Sequence, residues 1–387
     1  MHLIPGSSQI AYFNQTVFRS LRLYMNLQML LFKAFAIMDV VLRHRYWPFS
    51  QFMFIASSIP LFLFLSGYFY KSSDEQDPFR FIVKKFKRLI LLYFAYNVFY
   101  ALITYFIYSD SGILLGQLPT WDNFFIQPFI DGQQYSLSAP MWFIPFFFTV
   151  QIFYMFTSKL IRKFTDYEYA HLIVFALIGL SSVYIRNLTP EPDKVPLICL
   201  GMRILFGMFF ISLGHCFAQK IEKHDIYHLK LLVLAVGVRA VLFLNFKTPC
   251  YTFANADFGN ICSLFYSIID IYFLLYLAKY LGGIIKPGNF MYKIGNNTFH
   301  IMANHMLIFY VFDSILERLT GQDPSVSSSP IWKYTWLAYL ILGIVIPTYM
   351  GMSFKYLRKK FEKALADRFP RVLSACDKMA EYKLRLF

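Results

Sequence analysis

Lys33 and His44 stand eleven positions apart in the apolar run KAFAIMDVVLRH. At ~100° per residue that spacing amounts to ~1100°, within about 20° of three full helical turns. On a helix the two side chains therefore share one face, roughly 16 Å apart along the axis. Lipid cannot solvate an ammonium, so this face must point into protein, and an ionisable residue in the hydrocarbon region is a candidate for function. Histidine is also the side chain whose ordinary pKa suits a general base near neutrality. The structural alternative is an interfacial histidine beside Arg43, Arg45 and Trp47. Asp39 and Arg43, four apart, are expected to neutralise each other.

Three further sets of residues carry charge or polarity where apolar residues dominate. Lys84, Lys85 and Arg88 in VKKFKRLILLYF lie three and four apart. They suit either a topology anchor or a clamp on the phosphates of an anionic cytosolic ligand. In GNNTFHIMANHMLIF, helical spacing puts Asn297, His300 and Asn304 on one face, with Thr298 and His305 on the neighbouring one. Arg203 and Arg239 add positive charge inside other apolar runs, where Asp39, Asp270 and Asp313 are the in-span carboxylates available as partners. An excess of buried cations over buried acids suits an anionic ligand. Trp142, in PMWFIPFF, stands at the end of a run, where aromatic anchors collect. Ser66-Gly67 has no GxSxG context and reads as a helix-end or close-packing element. No Walker, GxGxxG or HExxH motif occurs. The five cysteines form no CxxC, so neither a metal site nor a disulfide framework is expected.

The elements that must position these residues follow from composition. Of 387 residues, 57% are hydrophobic, 20% aromatic and only 15% charged. A soluble domain carries about 45–50% apolar and about 25% charged residues. The excess excludes an ordinary soluble enzyme, a disordered chain and a fibrous one. Apolar runs near 27–43, 52–70, 89–108, 141–158, 170–185, 197–217, 229–246, 259–279, 294–316 and 333–354 are candidate spans. With the N-terminus inside, segments 1–26, 71–88, 159–169, 218–230, 279–293 and 355–387 are cytoplasmic and hold 27 of the 37 Lys+Arg, against seven on the external segments. The stretch 109–140 has none. This alternation is a positive-inside signal, and it gives the net charge of +15 an address other than nucleic acid.

The expected fold class is all-α: a polytopic integral membrane helical bundle of about ten transmembrane helices, N-in and C-in. Its parts are a cytoplasmic segment 1–26, a transmembrane domain 27–354 and a basic amphipathic tail 355–387, expected to lie on the anionic inner leaflet.

Taken together, the motifs resemble the acyltransferase 3 family, in particular its fucose-4-O-acetylase-like single-domain members. Lys33 and His44 fit the family's Arg/Lys-x10-His motif, and IPLFLFLSGYFYK at 59–71 fits its "vPlFfflSGyf" segment. KKFKR at 84–88 fits its basic motif, with Lys85-x-x-Arg88 standing for Arg-x-x-Arg. MWFIPFFF at 141–148, RILFGMFFISLGHCF at 203–217 and KIGNNTFHIMANHMLIF at 293–309 fit three further segments, with His305 at the family's histidine. The chain departs from the pattern at Lys33 and Lys85, which replace arginine, and at Arg43 before the histidine.

The resemblance implies an O-acyltransferase of a bacterial cytoplasmic membrane with no permanently bound cofactor. Acyl-CoA, in the first place acetyl-CoA, is the implied cytosolic donor, and a hydroxyl of a cell-surface or lipid-linked glycan the implied acceptor. Lys85 and Arg88 would meet the donor phosphates, with Lys84 and Arg203 as helpers. His44 would act as general base or transient acyl carrier, and Lys33 would stabilise developing negative charge or bind the phosphates. Asn304, His305 and Trp142 would orient His44 or the acceptor. The rival readings are a lipid-linked glycan polymerase or flippase and a solute transporter. Inverted repeats and paired broken helices would favour the transporter.

Overall fold

A computed structural model of the protein describes residues 27–45, 55–132, 134–189, 191, 194–246, 251–258, 260–322 and 331–368. Among these every regular element is a helix, and the only strand-like pairings are two isolated bridges. The main helices in chain order are α1 (residues 27–43), α2 (Ile59–Tyr68), α3 (Pro78–Ser111), α4 (Ser136–Ile161), α5 (Glu168–Leu188), α6 (Pro196–Ile221), α7 (Leu229–Phe246), α8 (Cys262–Gly282), α9 (Thr298–Thr320) and α10 (Ile331–Arg368). Each apolar run of the sequence overlaps one of them. Among the described residues, seven are able to cross a membrane by length and composition: α3, α4, α5, α6, α8, α9 and the 334–361 part of α10. Leu91, Leu102 and Phe106 on α3, and Leu177 and Tyr184 on α5, turn outward, where lipid is their solvent.

The run 52–70 departs from expectation. Its described helix, α2, has ten residues, about 15 Å at ~1.5 Å per residue, half of a bilayer's hydrocarbon core of about 30 Å. Pro60 sets the start, because a residue without an N–H fits only the first turn. The non-helical backbone before it is satisfied by side chains of distant helices. Ala56 N–H donates to Asp270 Oδ2 at 2.6 Å, and Arg43 donates to the Ile55 carbonyl. Irregular backbone at membrane depth requires such partners.

α6 is the most buried of the seven and forms the centre of the bundle, against α2, α4 and α5. Its crossing with α2 depends on two glycines. A Cβ on Gly67 would lie 1.8 Å from the Ile211 carbonyl oxygen, and one on Gly214 would lie 1.9 Å from that of Phe64. The backbones thus touch directly, as small residues permit between membrane helices. Just beyond α6, Tyr68 donates to Glu222 at 2.9 Å, and burial pushes that carboxyl above its usual range.

Near this end a short helix, Ser72–Glu75, is pinned by the buried Glu75. Its carboxylate accepts from Tyr70 (3.0 Å), Ser158 (2.8 Å) and Arg162 (3.3 Å). Arg162 also pairs with Glu168 at 3.0 Å, which joins α4 to α5.

α3 contains a π turn at Phe86–Ile90, a feature common at functional sites. α10 runs unbroken through residue 355, so the basic stretch to Arg368 extends the last helix. From Ser353 to Arg368 it contains no Gly or Pro and many good helix formers. Segments 1–26 and 369–387 lie outside the described residues.

Candidate active site

The Lys33/His44 face of α1 opens onto two adjoining chambers. His44, Arg43, Arg45, Ser57, Ser58, Trp142 and Tyr251 are among the residues lining one, of about 540 Å³. Lys33, Lys85, Arg88, Gln151, His300 and Lys355 are among those lining the other, of about 360 Å³. Phe62, Phe143 and Met302 line both. The helical spacing of Lys33 and His44 thus produces one face, and converging helices divide that face into two compartments.

In the His44 chamber the geometry fixes a tautomer. His44 Nδ1 lies 2.7 Å from the Val40 carbonyl oxygen, one turn back. A carbonyl only accepts, so Nδ1 carries the proton, and in the neutral ring Nε2 keeps its lone pair. His305 repeats the arrangement, with Nδ1 2.8 Å from the Ile301 carbonyl oxygen. The two rings meet edge-on, with centroids 5.0 Å apart and planes at 62°. His305 is fully buried, and its Nε2 has no hydrogen-bond partner among the described residues. It backs the His44 ring through packing.

The arginines flanking His44 are both engaged by carboxylates. Arg43 pairs with Asp39 at 2.7 Å, as their spacing predicts, and Ser58 Oγ donates to the same carboxylate. Arg45 pairs with Asp313 and stacks over the Tyr339 ring at 4.6 Å. Arg239 of α7 pairs with Asp270 of α8 at 2.8 Å. The three in-span carboxylates therefore each hold an arginine. Asp270 also takes the Ala56 N–H, so its pair helps to seat Ser57 and Ser58 at the chamber wall.

The Lys33 chamber is different in character. Lys33, Lys85, Arg88 and Lys355 line it, and among the described residues no Asp or Glu does. Lys85 donates to the buried Gln151 and lies 5.1 Å from the centre of the Phe81 ring. Lys355 Nζ donates to the Asn296 carbonyl at 2.7 Å and to Asn297 Oδ1 at 2.9 Å. The π turn begins just after Lys85 and contains Arg88, and both reach the chamber. Lys84 faces outward, so the expected three-cation face reduces to two.

Besides His305, three of the expected site residues line neither chamber. Arg203 joins neither chamber. Its guanidinium donates to the Ile130 carbonyl at 2.5 Å and lies over Trp142, 5.4 Å from the ring centre. It supports the tryptophan that lines the His44 chamber. Asn304 also lines neither chamber. It donates to Tyr96 Oη at 3.1 Å and accepts from Tyr100 at 3.2 Å, which ties α9 to α3. Lys84 is the third. In the opposite direction, nothing in the sequence singles out Lys355, one of ten basic residues from 355 onward. Gln151, hidden in an aromatic run, carried no signal beyond being polar within a span.

This arrangement can hold an anion among four cations on one side of an apolar constriction and a hydroxyl beside a basic imidazole nitrogen on the other. Searches of curated proteins and of solved structures returned no match. A family model, described as an acyltransferase domain, matches residues 26–350. That match covers both chambers except for Lys355, and with seven helices able to cross a membrane it makes this an integral membrane protein. The chain belongs to the acyltransferase 3 family.

Proposed function

We propose that the protein is an O-acyltransferase that moves an acyl group, in the first place acetyl, from cytosolic acyl-CoA to a hydroxyl of a cell-surface or lipid-linked glycan. One observation carries the reading: a cationic chamber, with no carboxylate among its described lining residues, adjoins, across an apolar constriction, a chamber holding a histidine with its Nε2 lone pair available. The first suits the phosphates of a CoA carrier, and the second suits activation of a hydroxyl. The distribution of Lys and Arg supports putting the Lys33 end at the cytoplasmic face.

In this mechanism the donor's phosphates rest against Lys85, Arg88 and Lys355, and its acyl end points through the constriction. The acceptor hydroxyl gives its proton to His44 Nε2 as its oxygen attacks the thioester carbonyl. The new C–O bond forms, the C–S bond breaks, and the imidazolium returns the proton to the departing thiolate. The Val40 carbonyl holds the Nδ1 proton throughout and stabilises the charged ring. Ser57, Ser58 and Trp142 supply polar and aromatic contacts for a sugar.

The test compares the surface glycan of cells with and without the gene. Loss of an O-acetyl signal at one sugar position is the expected result, with the same loss for His44→Ala at unchanged protein level. An unaltered glycan, together with no transfer of label from acetyl-CoA in membranes, would refute the proposal.

A further inference from the structure

We propose that Phe62, Phe143 and Met302 form a selective waist that sorts the transferred acyl group by charge and cross-section. Slim, uncharged groups pass it, and carboxylate-bearing or branched ones do not. This rests on the acyl-transfer reading above and specifies the class of donor.

The three side chains come from three helices, α2, the start of α4, and α9, and they are the residues common to both chambers. Phe143 and Met302 are buried, and Phe62 is half-buried. The Phe62 and Phe143 rings lie 5.7 Å apart between centroids, inclined at 52°. Phe143 is backed in turn by Phe147, stacked at 5.0 Å. None of the three offers a hydrogen-bond donor or a charge. Phe62 sits on the half-helix fixed to α6 by the Gly67 and Gly214 contacts, so it cannot retreat without disturbing that crossing.

The position of the waist along α1 makes it part of the reaction path. Ile37 lines the Lys33 chamber and Val40 the His44 chamber. The changeover thus lies between four and seven residues before His44, about 6–10 Å along the axis at ~1.5 Å per residue. On α9, Met302 precedes His305 by three residues, and so lies one turn from the ring that backs His44. A thioester whose phosphates stay among the Lys33-side cations must send its acyl group past these side chains to meet a hydroxyl at His44.

Two physical consequences follow. A terminal carboxylate, as in a succinyl group, would have to leave its hydration and pass between apolar side chains, which is strongly unfavourable. Lys33, Lys85, Arg88 and Lys355 would also hold it back on their own side. A branch adds width rather than length, and each methylene's worth of misfit in an apolar site changes rates by about 10- to 200-fold. An acetyl group meets neither obstacle.

The experiment uses membranes of cells expressing the full chain, with their own glycan as acceptor and acyl-labelled acetyl-, isobutyryl- or succinyl-CoA as donor. The readout is the ratio of isobutyryl or succinyl transfer to acetyl transfer within one preparation, so partial loss of folded protein cancels. The native chain is expected to prefer acetyl over both others by at least about tenfold. Met302→Ala and Phe62→Leu are expected to raise the isobutyryl-to-acetyl ratio about tenfold or more, and Met302→Gln to raise the succinyl ratio. Native transfer of succinyl at a rate near that of acetyl would overturn the waist, as would unchanged ratios in all three variants while acetyl transfer persists. Absence of transfer from every donor, in protein shown to be inserted, would overturn the acyltransferase proposal and the waist with it.

Discussion

His44 presents Nε2 to its chamber because the Val40 carbonyl occupies Nδ1. The catalytic assignment therefore rests on one nitrogen. His44→Ala is expected to lower acyl transfer by about 10²–10⁴-fold, the range of a positioned general base, with protein level unchanged in membrane immunoblots. The cations separate in the same way. Both Lys355 and Lys84 are exposed, but Lys355 makes two hydrogen bonds at the wall of the Lys33 chamber, whereas Lys84 lies outside it. Lys355→Gln is expected to raise the KM for acyl-CoA about tenfold or more, the worth of one charge-assisted contact of about 1.5–3 kcal/mol. Lys84→Gln is expected to leave it within about twofold, since a surface charge with no contact in the chamber contributes little. Steady-state kinetics on the two variants side by side checks both. Equal effects would identify the basic cluster as a diffuse field with no preferred residues.

At the scale of the elements, the chambers exist because helices meet at fixed points. The α2–α6 crossing tolerates no side chain at Gly67. Gly67→Ala must move one backbone, at a cost of about 1–3 kcal/mol or more, visible as a lowered melting temperature of the detergent-solubilised protein. Because α2 carries Phe62, the same variant is expected to lose acetyl transfer beyond its loss of folded protein. Glu75 joins the Ser72–Glu75 turn to α4 through Ser158 and Arg162. Glu75→Ala strips the half-buried Arg162 of one partner and is expected to cost about 1–3 kcal/mol, softened where Glu168 retains the guanidinium. Thermal unfolding measures it. Neither crossing nor turn could be foreseen from α2 or α3 alone, because each depends on residues more than eighty positions away.

For the whole molecule, the charge distribution and the two chambers must agree on which end is inside. The chamber rich in cations is also the one reached by Lys85, Arg88 and Lys355, from segments with the highest density of Lys and Arg. A reporter fused after Phe387 is expected to read as cytoplasmic. An external signal would reverse the chain and remove cytosolic acyl-CoA from reach of the Lys33 chamber. The three arginine–carboxylate pairs, Arg43–Asp39, Arg45–Asp313 and Arg239–Asp270, show the bundle neutralising its own structural charges. The cations of the Lys33 chamber stand apart from these, which is the electrostatic condition for receiving an anion.

The sequence by itself determined the class of the protein, the apolar runs that became α1 to α10, and the common face of Lys33 and His44. Hydropathy over about twenty residues and the 3.6-residue turn are local properties, so they can be read without knowing any neighbour. The motifs along those runs also carried the family. The tertiary structure alone decided which polar residues face a chamber. Arg203 and Asn304 lie in spans as expected, yet one supports Trp142 and the other ties α9 to α3. Lys355 became distinct from the other tail cations only by reaching Asn296 and Asn297. The division into two chambers required Phe62, Phe143 and Met302 to converge from three helices. Such convergence depends on crossings between helices far apart in the chain, and no periodicity within a single helix encodes it.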